Sequence, residues 1–114
     1  MFQVRGQFEL KIDAKGRVAL PVRLRERLSD SKEAGLVLTH HDGGIQGFTA
    51  SRWRSMERRF ADVSPFDPGA RAFMLAFVAG AVEVEPDAAG RINLPNSLRR
   101  LVGLEKDCLL LSYL

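Results

Sequence analysis

A chain of 114 residues is long enough for one domain, or for two small units sharing a core. Its 46% hydrophobic content excludes global disorder. The net charge of +3 is unevenly spread: residues 1–60 hold 12 Lys/Arg against 7 Asp/Glu, residues 61–114 hold 5 against 7, and a basic half points toward polyanionic partners.

The N-terminal stretch Met1-Phe2-Gln3-Val4-Arg5-Gly6 lacks the apolar core of a signal peptide. Residues 7 to 12 alternate polar and apolar, the period of a half-buried strand. Asp13-Ala14-Lys15-Gly16 supplies a turn, because Asp bonds its own following backbone and Gly tolerates positive φ. Arg17-Val18-Ala19-Leu20 returns as a second strand, and Pro21 suits the first position of a helix. Leu24 and Leu28 share one face of that helix, with Arg23, Arg25, Glu26 and Arg27 around it. Leu36 to Thr39 is the next strand, and Asp42-Gly43-Gly44 turns it back through Ile45 to Thr49.

Ser51 can cap a following helix, on which Trp53, Met56 and Phe60 form a core or interface stripe. Asp67-Pro68 opens another helix. Its body, residues 70 to 79, is apolar nearly all round and must be covered on several sides, by both units or by a neighbouring subunit. The apolar run from Ala70 to Val84 is broken by Arg71, Gly80 and Glu83 and is too short to span a bilayer, so a cytoplasmic protein is expected. Gly80 can end the helix. Val82-Glu83-Val84-Glu85 then alternates again, Leu98, Leu101 and Val102 form a last helix stripe, and Gly103 stops it. Cys108 is the only cysteine, which rules out an internal disulfide and reads as a small buried hydrophobe.

The chain states one unit twice, 74 residues apart. Asp13-Ala14-Lys15-Gly16-Arg17-Val18-Ala19-Leu20-Pro21 returns as Asp87-Ala88-Ala89-Gly90-Arg91-Ile92-Asn93-Leu94-Pro95. Two such supersecondary units suggest a pseudo-symmetric domain, with both Gly-Arg guanidinium groups on one face. No low-complexity linker divides the chain. A single intertwined domain over 1–114 is expected, with a first repeat at 7–49, a helical insert at 50–80 and a second repeat at 81–114.

Three chemistries fit the doubled turn. Two Asp residues related by pseudo-symmetry could share a proton as a catalytic pair. Yet each is followed by Gly-Arg, whose cation keeps the carboxylate ionised. No Ser or Cys pairs with a His, no phosphate-cradling glycine loop appears, and His40-His41 has no accompanying metal ligands. No enzyme, metal or cofactor is therefore expected. A structural reading makes Asp13, Gly16, Asp87 and Gly90 turn-forming residues pinned by Asp–Arg pairs. It leaves Lys15 unexplained, and with it Lys11, Arg23, Arg25 and Arg27. A nucleic-acid reading gives those cations a role, since Arg can grip phosphate oxygens or guanine O6 and N7, and a two-stranded ribbon fits the major groove.

Met1-Phe2, Gly6, Asp13 to Arg17, Pro21 and Arg25, followed by Asp87 to Arg91 and Leu98-Arg99, resemble the MraZ family of bacterial transcriptional regulators. The likeness runs over nearly the whole chain. It implies an α+β fold, the AbrB-like swapped-hairpin β-barrel, built here from two repeats in one chain. It also implies a homo-oligomeric ring and binding to double-stranded DNA at short direct repeats upstream of the division and cell-wall gene cluster. By the resemblance, Lys15, Arg17 and Arg91 carry the DNA contact, flanked by Lys11, Arg23 and Arg25, in a nucleoid-associated protein. Ala89 stands where the first turn has Lys15, so the second turn is expected to be the weaker contact. The second repeat stops after one strand, without the return strand and helix of the first, and is expected to be incomplete. The rival reading is an AbrB-like antitoxin or protein-binding module, against which the lack of an extra tail argues.

Overall fold

The computed structural model describes residues 5–33 and 35–113; Met1 and Phe2, which contribute to the family resemblance, lie outside them. In chain order the elements are β1 (Arg5–Lys11), β2 (Arg17–Ala19), α1 (Val22–Asp30), β3 (Leu36–His41), β4 (Gly44–Thr49), α2 (Ala50–Phe60), α3 (Pro68–Phe77), β5 (Val82–Val84), β6 (Arg91–Asn93), α4 (Asn96–Val102) and β7 (Asp107–Tyr113). The class is α+β, with antiparallel strand pairs throughout.

The ladders run mostly between the two units. The return strand β2 exists, but its ladder partner is β6 of the other unit rather than β1. Strand β1 pairs with β7, and β5 pairs with β3. The registers are related by the pseudo-symmetry: Leu10 lies opposite Cys108, and its repeat counterpart Val84 lies opposite Leu36. Among the described residues only the β3–β4 hairpin pairs within one unit. The ladders fall into three separate sheets, ordered β1-β7, β2-β6 and β4-β3-β5, and do not close into one continuous barrel among the described residues.

Side chains facing inward from these strands make the main core. Val18 and Leu20 meet their counterparts Ile92 and Leu94, and Leu24 and Leu28 of α1 pack with Leu98 of α4. Each is under a tenth exposed, and burying one such side chain is worth roughly 1.5–3 kcal/mol. Cys108 packs at the edge of this cluster, as a small hydrophobe does, and burial raises its thiol pKa. A second cluster covers the outer face of β3, where Val37, Trp53 and Phe77 are buried beside Phe48, Met56 and Phe60. Phe77 stacks on Phe73 with centroids 5.0 Å apart. Thr39, fully buried in β3, donates its hydroxyl to the Phe77 carbonyl at 2.6 Å and ties the end of α3 to the sheet. The Trp53 stripe is core, as its spacing indicates.

The helix ends follow capping chemistry with some shifts. Asp67 caps α3, accepting from the Ala70 amide at 3.1 Å, with Pro68 in the first turn. Gly103 ends α4 in the left-handed conformation at φ 76°. Pro21 and Pro95 are N-cap residues, one position outside their helices. Thr49, not Ser51, caps α2, because the helix starts at Ala50 and places Thr49 Oγ1 within 3.3 Å of the Arg52 amide. Helix α3 stops at Phe77, before Gly80.

Helix α3 is only partly covered. Phe77 is buried, while Leu75 is 60% exposed and Phe73 39%. Met74, Leu75, Val78, Val63 and Pro65 line an open groove of about 360 Å³ on this side. Strand β7 likewise carries Leu109 and Leu111 outward, 55% and 61% exposed.

Candidate nucleic-acid interface

Both turns are built the same way. Asp13 Oδ1 accepts from the Lys15 and Arg17 amides at 2.9 and 2.8 Å, and Oδ2 accepts from Arg17 Nε at 2.9 Å. Asp87 repeats this with the Ala89 and Arg91 amides at 3.0 and 2.9 Å and Arg91 Nε at 3.0 Å. Gly16 and Gly90 adopt φ 83° and 76°, which a side chain would oppose. Their carbonyls then accept from the Leu94 and Leu20 amides, so each turn is stitched to the opposite unit.

Three bonds to each carboxylate decide its protonation. The Arg17 amide, with smaller contributions from its side chain and the Lys15 amide, holds Asp13 below the ordinary carboxylate value against some desolvation. Asp87 is lowered likewise, by the Arg91 amide first. Two carboxylates each bound by their own turn and held ionised are poorly suited to share a proton. The geometry therefore speaks against a catalytic Asp pair. Among the described residues no three His, Cys, Asp or Glu side chains gather as a metal would need.

The Asp contact occupies only Nε of each Arg. Among the described residues the two Nη groups of Arg17 and of Arg91 have no hydrogen-bond acceptor, on a guanidinium whose orientation is already fixed through Nε. Strand alternation sets where they lie. Val18 and Ile92 face the core, so Arg17, Ala19, Arg91 and Asn93 occupy the outer face of the β2–β6 ladder. In register, Arg17 lies opposite Asn93 and Ala19 opposite Arg91. The two arginines are thus diagonal neighbours, with backbones about 7–8 Å apart. Lys15 is exposed at the tip of the first turn.

The remaining cations lie on other elements. Arg25 reaches from α1 across to the second turn: its Nη1 is 3.5 Å from the Ala89 carbonyl, and a Cβ on Gly90 would collide with the side chain. Its Nε is buried without a partner among the described residues. Arg99 does the same in reverse, lying over Gly16 of the first turn while its Nε donates to the Leu94 carbonyl at 2.9 Å. Lys11 ends β1 opposite Asp107, just ahead of the first turn, and Arg23 is exposed on α1. Of the sequence-derived residues, Lys15, Arg17 and Arg91 are therefore gathered on or beside one ladder and Arg25 reaches its second turn, while Lys11 and Arg23 lie on the separate elements β1 and α1.

Sequence reasoning used Arg99 only for the family resemblance and not as a site residue, and it gave Asn93 and Asn96 no role. Lys15, Asn93, Asn96 and Arg99 line one groove of about 420 Å³ with Pro95, Val82 and Val84. The 74-residue shift that maps Arg17 onto Arg91 also maps Arg25 onto Arg99, a signal that was available in the repeat.

A family model described as "MraZ protein, putative antitoxin-like" matches residues 3–75 and 77–114. The chain belongs to the MraZ family. A protein named transcriptional regulator MraZ from Anaeromyxobacter sp. (strain Fw109-5) is 40% identical over 104 residues, spanning 90% of this chain and 72% of the relative. One of the same name from Lactiplantibacillus plantarum is 40% identical over 106 residues, 92% of this chain and 72% of its own. A third, from Ligilactobacillus salivarius, is 39% identical over 103 residues, 90% and 70% of the two lengths. The solution structure of PHS018 from Pyrococcus horikoshii covers 99% of this chain and 96% of its own at a TM-score of 0.39 and 12% identity, a likeness too slight to define the fold.

Proposed function

We propose that this MraZ-family chain is a transcriptional regulator that binds double-stranded DNA through the β2–β6 face. The observation that carries the reading is the placement of Arg17 and Arg91, both half-buried, on the outer face of one ladder, each oriented through its Nε by an Asp. A guanidinium held this way loses little conformational freedom on contact with guanine O6 and N7 or with phosphate. Lys15 adds a phosphate contact at the first turn. The names of the relatives support the regulatory role.

The exchange of strands between the two halves supports a swapped-hairpin, AbrB-like architecture for one intertwined domain, with repeats at 7–49 and 81–114 around the insert at 50–80. On this reading the DNA site is a set of short direct repeats upstream of the division and cell-wall genes, and a ring of subunits meets successive repeats. The half-covered α3 face supports self-association through Leu75 and its neighbours. The protein then works in the cytoplasm on nucleoid DNA. No helix among the described residues is long and apolar enough to cross a membrane.

Fluorescence-anisotropy titration of the protein with duplex DNA from upstream of its own gene tests this. Arg17→Ala is expected to remove sequence-specific binding while the protein stays folded. Unchanged affinity in a folded Arg17→Ala protein rejects the assigned face. Light scattering tests the ring: Leu75→Glu, at an exposed position, is expected to dissociate it without unfolding the core.

A further inference from the structure

The two ends of the β2–β6 ladder are equivalent in backbone but not in chemistry. Around the first turn stand Lys15, Arg17, Asn93 and Asn96. The 74-residue shift carries these onto Ala89, Arg91, Ala19 and Val22 at the other end. Of those four, only Arg91 can make a hydrogen bond through its side chain. Asn93 lies directly opposite Arg17 on the outer face and is exposed, as Asn96 is. Neither amide has a side-chain hydrogen bond among the described residues. Both line the groove together with Lys15 and Arg99.

We propose that Asn93 is a base-reading residue, with Asn96 beside it, and that the protein binds DNA with one sequence-reading end and one end that mainly holds the backbone. This rests on the DNA-binding reading of the β2–β6 face and deepens it. A carboxamide carries one donor and one acceptor side by side, the pattern that meets adenine N6 and N7 in the major groove. Arg17, its cross-strand neighbour, suits an adjacent guanine. Ala19 opposite Arg91 offers at most an apolar contact with a thymine methyl. Two equal ends would favour an inverted repeat, because protein two-fold symmetry selects operator two-fold symmetry. Unequal ends give each subunit a direction along the duplex, which is what a head-to-tail array of direct repeats requires.

The test is selection from a pool of duplexes with a randomised core, performed with the wild type, Asn93→Ala and Asn93→Val, the last keeping a strand-forming side chain. The wild type is expected to enrich a motif containing an A·T pair that both variants no longer select. Affinity of the variants for the wild-type motif should fall by about 5- to 150-fold, with the salt slope unaltered because an amide neutralises no phosphate. Ala19→Asn is expected to add a second, inverted preference at the other end of the motif. An unchanged motif for both Asn93 variants overturns the inference while leaving DNA binding intact. So does a weakening that is equal for every sequence, the mark of a backbone contact. If the wild type enriches no motif, the DNA-binding reading fails and the inference falls with it.

Discussion

Gly16→Ala probes how the first turn is held. Gly16 sits at φ 83°, where a side chain costs roughly 1–2 kcal/mol. A Cβ there would fall 2.5 Å from Arg99 Nη2 and 2.7 Å from its Cζ, so the guanidinium has to swing away. That breaks the 2.9 Å bond from Arg99 Nε to the Leu94 carbonyl. A bond from a charged donor contributes about 1.5–3 kcal/mol, nearer the lower figure for a half-buried side chain. Together the two effects amount to about 2.5–4 kcal/mol. With an unfolding entropy of about 2.1 cal/mol/K per residue, Tm should drop by roughly 10–17 °C. Circular-dichroism melts of the wild type, Gly16→Ala, Arg99→Ala and the double variant separate the two causes. In the double variant the bond is already gone, so the combined loss should fall short of the sum by about 1.5–2 kcal/mol. Additivity within about 0.5 kcal/mol would show that Arg99 does not brace this turn, and would refute the reasoning.

Asp13→Asn and Asp87→Asn should each flatten the acid side of the stability profile. Both carboxylates are held below their ordinary value of 3.8, so their stabilisation is complete above that pH and is lost as pH falls through the lower folded value. Urea unfolding between pH 2 and pH 6 checks this, and an unaltered acid limb in both variants would contradict the turn geometry. Thr39→Val removes the buried hydroxyl from the Phe77 carbonyl and should cost about 1–3 kcal/mol, with faster amide exchange in the last turn of α3 than in α1. Equal exchange would mean that this bond does not secure the helix. Ala89→Lys restores at the second turn the cation that the first turn has in Lys15. It should tighten DNA binding and steepen the dependence of log K on log salt by up to about one unit; no change in either would place the second turn away from the duplex.

The local elements were legible in the chain because each is specified by neighbours in sequence. Asp13-x-x-Gly16-Arg17 and Asp87-x-x-Gly90-Arg91 encode their turns through bonds spanning four residues, and the Asp67-Pro68 cap and the Trp53-Met56-Phe60 stripe follow from spacing alone. The doubling itself announced pseudo-symmetry, and with it the family. Pairing was another matter. A three-residue strand such as Arg17–Ala19 carries no record of its partner. Tertiary packing decided for β6, because exchanging strands lets Val18 and Leu20 bury against Ile92 and Leu94 in a shared core. The same exchange set Asn93 opposite Arg17 and laid Arg99 across Gly16. Those contacts join residues more than 70 positions apart, and only the folded chain brings them together.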